Sequence, residues 1–187
     1  MRGWHDIVGS ALSEGDVWIF AYGSLLWDPG FAYVEARPAT LYGYHRQFCI
    51  YSYVYRGTPE RPGLVLGLDR GGSCQGRAYR VAAANAIEVL EYLEGRERVL
   101  YVYEPRLCKI RVERKSIRAV CYVADRHHPQ YSGHLEIEDA ASIIRAGHGE
   151  RGPNVDYLAN TIDQLDALGV SDRGLKQLLA AVERGSG

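Results

Sequence analysis

The sequence predicts an α+β fold: a curved or barrel-like antiparallel β-sheet drawn from the first two-thirds of the chain, with helices concentrated in the last third. Three observations predict it. Apolar and alternating runs rich in Val, Ile, Tyr and Thr recur through residues 17–124, separated by Gly and Pro. Apolar residues at three- and four-residue steps take over beyond residue 137. Finally, 187 residues with 47% hydrophobic and 24% charged composition fit one globular domain with a core of its own, spanning 1–187 and fraying from position 184.

Each element follows from its local pattern. Val17 to Tyr22 reads as a fully buried strand, and Ala39 to Tyr53, with rough alternation, as one or two strands. Arg56 to Gly63, RGTPERPG, is a loop by its Pro and Gly content. Leu64–Asp69 and Ser73–Val81 flank Arg70-Gly71-Gly72, a hairpin signal because paired glycines supply the positive φ of a tight turn. Val99–Tyr103, Leu107–Glu113 and Ile117–Ala124 read as three more strands, and CKIRVER alternates as a half-exposed antiparallel strand does. Helices are expected over Ala83–Glu97, near Glu138–Ala146, and from Asn154 with Leu158, Ile162, Leu165 and Leu168 on one face. A last helix starts from Ser171 as N-cap and ends at Gly185.

Composition removes several function classes. A net charge of −1 argues against nucleic acid as the main partner. The longest apolar run, near Val17 to Trp27, is too short and interrupted for a bilayer span, and no apolar leader follows Met1 to His5, so a cytoplasmic protein is expected. Cys49, Cys74, Cys108 and Cys121 form no C-x-x-C pair and read as small, reduced core residues. His127, His128, His134 and His148 lack metal-ligand spacing, so no metal is expected. Gly71-Gly72 and Gly147-x-Gly149 match no dinucleotide or P-loop pattern, and the basic run Arg111 to Arg118 reads as a solvated strand and turn. Fourteen tyrosines against three phenylalanines fit Tyr-rich strands or the half-wet walls of a polar cavity.

Two places carry chemistry. On the Ala83–Glu97 helix, Ala86, Leu90 and Leu93 make an apolar stripe on which Glu97 also falls, while Glu88 and Glu91 lie elsewhere and Glu94 at the rim. A carboxylate so placed has its pKa raised by burial, which suits a general acid or base near neutral pH. The competing reading is that the helix stops before Glu97, or that Glu97 pairs with Arg96 or Arg98. At Tyr22-Gly23-Ser24-Leu25 a buried strand breaks at Gly-Ser and turns apolar again at once. Such a strand end can present bare backbone N–H groups to an anion or oxyanion; the competing reading is an ordinary turn or bulge. Ser24 has no local His partner, so a nucleophilic triad is not expected.

In order, FAYGSLLWDPGF, GYHRQFC, RGTPERPGLVLGL, YLEGRE and GPNVDYL span most of the chain. Together they resemble the ChaC-type γ-glutamylcyclotransferases. The resemblance implies a small mixed barrel with peripheral helices and a lyase that cleaves glutathione to 5-oxoproline and cysteinylglycine, with no cofactor. It implies Glu97 as the catalytic acid/base, Tyr22, Gly23, Ser24 and Leu25 as the substrate loop, and Tyr157 near the γ-glutamyl group. Arg46 is a candidate partner for a substrate carboxylate, and Gln75 stands where relatives often carry Trp. Two alternatives stay open: a cyclotransferase for other γ-glutamyl amines or dipeptides, and a non-catalytic γ-glutamyl-binding or regulatory module.

Overall fold

The structure, a computed structural model, describes residues 4–13, 15–97 and 102–185; the Glu97 side chain falls outside the description. Five strands close a barrel in the order β1-β3-β2-β4-β5, with β1 Val17–Ala21, β2 Glu35–Ser52, β3 Gly63–Val81, β4 Tyr103–Val112 and β5 Lys115–Ala124. Closure leaves no exposed sheet edge. The sheet is mixed, because β1 meets β5 in parallel at Ile19–Val120 while β1 and β3 run antiparallel from Val17–Val81 to Ala21–Arg77. β4 and β5 form a hairpin across Glu113–Arg114, paired from Tyr103–Ala124 to Val112–Lys115.

Two expectations change. Gly71-Gly72 does not end a hairpin; β3 runs through it without interruption. The glycines do take positive φ, +105° and +66°, and Gly43 on β2 takes +83°. Beside them, His45 Nδ1 lies 3.1 Å from the Gly71 carbonyl. Left-handed glycines serve a bend in a long strand as well as a tight turn, and here they bend two neighbouring barrel strands. The strand expected at Val99–Tyr103 falls mostly on positions outside the described residues, and Tyr103 instead begins β4.

The chain divides into two compact units, Met1–Arg46 with Leu68–Asp125, and Gln47–Gly67 with Arg126–Gly187, the boundaries falling inside β2 and β3. The first unit buries Ile19, Phe20, Leu41, Tyr79, Ile110 and Val120 together with Leu90 and Leu93 of helix α2, Ala86–Glu97. It also holds α1, Trp4–Leu12, which the sequence pattern did not announce and which packs on β4 and β5. Among its described side chains Ile7 and Ala11 are buried.

The second unit packs three helices on one another: α3 Ile137–Ala146, α4 Asn154–Ala167 and α5 Arg173–Arg184. Asp172, not Ser171, caps α5, its carboxylate accepting from Leu175 N–H at 3.2 Å. Asn154 opens α4 fully buried; its side chain accepts from Leu64 N–H at 2.6 Å and donates to Leu64 C=O at 2.8 Å. One amide thus replaces a strand partner for Leu64 and fixes where α4 starts.

Candidate active site

The break at Gly-Ser is a 3₁₀ turn, Ser24–Leu26, entered from β1 through Gly23. Tyr22, Gly23, Leu25 and Leu26 are buried and Ser24 is half-buried, so the turn stays inside on both flanks. Leu26 N–H donates back to Gly23 C=O at 2.8 Å and Asp28 N–H to Ser24 C=O at 2.9 Å. The N–H groups of Ser24 and Leu25 come before the first such donor, so the turn itself supplies them no acceptor. Gly76 on β3 lets the strands close behind the turn, because a Cβ there would run into the Ala21 carbonyl oxygen and the Phe20 ring.

Three side chains from three elements hold this turn, two by backbone carbonyls and one by the Ser24 hydroxyl. Arg46, 8% exposed on β2, donates through Nε to the Tyr22 carbonyl at 2.6 Å and through Nη2 to the Gln75 carbonyl at 2.7 Å. A trans peptide is planar with its C=O and N–H antiparallel, so a Tyr22 carbonyl held by Arg46 turns the Gly23 N–H the opposite way. Tyr79 on β3 donates its hydroxyl to Leu26 C=O at 2.9 Å. Burial pushes the Tyr79 phenol above its usual pKa, which keeps it a donor.

The third holder is Arg96, in the last turn of α2. Its Nη2 donates to Ser24 Oγ at 3.2 Å and lies 3.7 Å from Asp28 Oδ2; its Nη1 donates to Tyr92 Oη at 2.9 Å and to the Pro29 carbonyl at 3.5 Å. Gly30, at φ +71°, follows so closely that a Cβ there would strike the Tyr92 hydroxyl. The end of α2 and the Ser24–Gly30 stretch are therefore fastened together.

Glu97 is the residue after Arg96, and α2 continues through it. That removes the reading in which the helix stops short. The stripe expected on this helix is present: Ala86, Leu90 and Leu93 are buried, Glu88 and Glu91 exposed, and Glu94 half-buried. Tyr22, Gly23, Ser24 and Leu25 are thus brought together with the helix end that carries Glu97. The Gln75 side chain is exposed, and it is the Gln75 carbonyl that Arg46 takes.

Tyr157 belongs to the second unit. It lies in the first turn of α4, its ring 5.6 Å from Phe48 and 5.3 Å from the Arg56 guanidinium. Arg56 also donates to the Arg151 carbonyl at 2.5 Å and the Pro153 carbonyl at 3.1 Å, so it joins the start of α4 to the RGTPERPG loop. Sequence reasoning missed Tyr79 altogether and met Arg96 only as a possible partner for Glu97. The available signal was Arg96's place in YLEGRE, one residue before the carboxylate.

Residues 17–185 match the family described as ChaC-like protein. The chain belongs to the ChaC-like family. Among curated relatives, the glutathione-specific gamma-glutamylcyclotransferase of Escherichia coli (strain K12) is 36% identical over 172 residues, covering 91% of this chain and 74% of that protein. Glutathione-specific gamma-glutamylcyclotransferase 1 of Mus musculus is 35% identical over 179 residues, covering 90% of this chain and 80% of its own. A solved yeast structure titled a γ-glutamyl cyclotransferase specific to glutathione superposes with a TM-score of 0.81 at 22% identity, over 92% of this chain and all of that one. That likeness carries the fold: the α+β barrel with peripheral helices is the one this ChaC-like chain adopts. Chemically, a buried turn whose Ser24 and Leu25 N–H groups find no acceptor within the turn, braced by two guanidinium groups and joined to a carboxylate-bearing helix end, suits a reaction that develops negative charge and transfers protons.

Proposed function

We propose that this chain is a glutathione-specific γ-glutamylcyclotransferase, a lyase that converts glutathione to 5-oxoproline and cysteinylglycine. The observation that carries the reading is its identity of about one-third with relatives of that name along nine-tenths of its length. The substrate's α-amine attacks its own γ-carbonyl carbon and closes a five-membered ring. Nucleophile and electrophile share one molecule, so the protein's main task is to hold a folded conformer. No covalent enzyme intermediate is needed, which agrees with a Ser24 hydroxyl engaged by Arg96.

In this reading Glu97 takes a proton from the substrate ammonium. The freed amine adds to the γ-carbonyl and its oxygen becomes an oxyanion. The bond to the cysteine nitrogen then breaks as Glu97 returns its proton to the departing amine, and the second proton of the ring nitrogen passes to that amine by the same carboxylate, so that 5-oxoproline leaves as a neutral lactam and cysteinylglycine as an ammonium. The Gly23, Ser24 and Leu25 N–H groups hold either the oxyanion or the glutamyl carboxylate, with Tyr22 lining the turn. Tyr157 contacts the γ-glutamyl group. The Arg96–Ser24 hydrogen bond supports pairing the turn with Glu97, since it fastens the two segments one residue from the carboxylate. The roles of Glu97 and Tyr157 otherwise rest on the matching motifs.

The test is direct. Purified protein and its Glu97→Gln variant are incubated with reduced glutathione, and both products are followed by mass spectrometry. Wild type is expected to release both and the variant neither, while its fold and ligand binding persist. Products from both proteins would keep the reaction and remove Glu97 from it. No product from wild type, with glutathione or with a panel of γ-glutamylamines, would leave a binding module instead.

A further inference from the structure

The basic run Arg111–Arg118 and two of the four cysteines are not used by this chemistry, and they converge on the barrel wall. β2 and β4 pair at Thr40–Arg111 and Leu41–Ile110. Just beyond, Gly43 bends β2, and a groove of about 500 Å³ opens between Tyr42 and Tyr44 on one strand and Cys108 to Arg111 on the other. That volume lies within the range of small-molecule sites. Lys109, Arg111, Arg114 and Lys115 all line it, with no carboxylate among the lining residues. Arg111 sits over the Tyr42 ring at 5.4 Å. The neighbouring acid, Glu113, lies 3.8 Å from Arg37. Lys109 and Arg111 alternate with Cys108 along β4, so these exposed cations edge the groove; a solvated strand face would explain the charge, but not the concavity or the cysteine that lines it.

Cys108 is half-buried and lines this groove. Behind it stands Cys121, fully buried on β5. Cys108 pairs with Ala119 and Cys121 with Arg106, so the two cysteines are diagonal neighbours on one face of the hairpin. Diagonal Cα atoms lie about 7–8 Å apart, at or beyond the reach of a disulfide without backbone movement. The two thiols instead share a hydrogen bond, and it divides their roles. The bond from Cys121 holds the Cys108 thiol below its usual pKa; burial opposes this and the Arg106 charge adds to it. Burial pushes Cys121 the other way, well up, so it keeps its proton and can turn it from the Ala119 carbonyl, 3.6 Å away, to a Cys108 thiolate. Arg106 is itself paired with Glu104 at 2.7 Å, and Tyr44 adds a phenol nearby.

We propose that Cys108 and the cationic groove around it form a modification site for an anionic low-molecular-weight disulfide of the glutathione disulfide class. The carboxylates of such a molecule meet Lys109, Arg111, Arg114 and Lys115 while one of its sulfurs meets Cys108. Cys108 loses its proton to solvent and attacks that sulfur. The disulfide bond breaks, a bond between Cys108 and the captured half forms, and the other half leaves as a thiolate that takes a proton from water. The incoming disulfide is the oxidant, reduced by two electrons as Cys108 is oxidised. Cys121 stabilises the thiolate and does not resolve the adduct, so the mixed disulfide persists until an external thiol removes it. This inference stands apart from the cyclotransferase reading and shares none of its residues.

The full chain, reduced and desalted, is exposed separately to glutathione disulfide, neutral hydroxyethyl disulfide and cationic cystamine, and adducts are mapped and timed by peptide mass spectrometry. Cys108 is expected to react first with all three, reversibly with dithiothreitol. The double variant Arg111→Glu, Arg114→Glu should slow the glutathione disulfide adduct about tenfold or more, as electrostatic steering does. The same variant should speed cystamine and leave the neutral disulfide unchanged. Cys121→Ala should keep Cys108 as the target but move the midpoint of its pH–rate curve upward. Earlier modification of another cysteine in the folded chain, or the same charge preference in wild type and the double variant, would overturn the proposal. Adduct formation needs no turnover, so its failure is distinct from a failure to release 5-oxoproline.

Discussion

Replacing Arg46 with methionine tests whether the substrate turn is oriented from behind. Methionine fills much of the same volume and keeps the site apolar, but removes the donors to the Tyr22 and Gln75 carbonyls. Hydrogen bonds to a charged group contribute about 1.5–3 kcal/mol each, so losing these two corresponds to about 3–6 kcal/mol. Relief of the buried guanidinium's own desolvation lowers the observed figure. The consequence for activity is geometric. Without Arg46 the Tyr22–Gly23 peptide is free to rotate and the Gly23 N–H loses its direction. A displacement of about 1 Å at a positioned group can cost about 10² in rate. The expected result is therefore a kcat/KM for 5-oxoproline release lower by about 10², carried mainly in kcat, with circular dichroism still native.

Arg46→Lys separates this account from the one in which Arg46 meets a substrate carboxylate. Lysine keeps the charge but reaches two carbonyls poorly, because it lacks the planar fork. If orientation is what matters, lysine restores stability in part and kcat little. If lysine restores kcat fully, or if the folded methionine variant turns over like wild type, the Gly23 peptide is not set by Arg46 and the reasoning fails.

Other expectations follow from the same contacts. Arg96→Ala should leave α2 helical but release Ser24 and Pro29 from it, lowering kcat/KM; the Ser24 hydrogen bond alone, at about 1 kcal/mol, predicts about a fivefold loss. Asn154→Ala strands the buried N–H and C=O of Leu64, at about 1–3 kcal/mol each, so urea unfolding should show a loss of about 2–6 kcal/mol; Asn154→Asp should not rescue it, because its second oxygen would face a carbonyl. The Asp16 carboxyl is held low by the Ala83 N–H and then by Arg80, and the Glu35 carboxyl by Arg37 and then by Arg80. Groups with depressed folded values add stability that is present above their unfolded pKa of about 4 and lost as pH falls through the folded one. Acid titration of Arg80→Ala should therefore show a shallower loss of stability below about pH 4 than wild type.

What the sequence revealed was local and periodic. The α2 stripe was readable because Ala86, Leu90 and Leu93 recur at helical steps, and the break after β1 because Gly-Ser interrupts an apolar run, though not that the break is a 3₁₀ turn. The β3 hairpin was misread because Gly-Gly at positive φ signals a turn and a barrel bend equally. α1 escaped notice although Trp4, Ile7, Val8, Ala11 and Leu12 recur at helical steps, because the helix has only 9 residues and Gly9 weakens it. The holders of the turn could not be read at all. Tyr79 reaches Leu26 across 53 positions and Arg96 reaches Ser24 across 72, and neither pair has a periodicity to betray it. Arg46 was noticed, but its partners are backbone carbonyls, which every residue offers alike.

That last point bears on where this site stores its specificity of geometry. A reaction whose nucleophile and electrophile arrive in one molecule needs a single proton carrier and a set of fixed donors. Backbone N–H groups are good donors for this purpose because they add no rotamer freedom, but they point only where their peptide planes point. In this chain the planes at the Tyr22 and Leu26 carbonyls are set by Arg46 from β2 and Tyr79 from β3, while Arg96 from α2 fastens the turn through the Ser24 hydroxyl. Conservative changes to the apolar side chains of the turn itself, at Leu25 or Leu26, alter packing on one side of it and leave those planes held. Changes to the three holders leave the turn's own sequence intact and free its donors to turn away. On the proposed reading the chemistry lies in the turn and Glu97, while its precision lies in the residues that hold the turn.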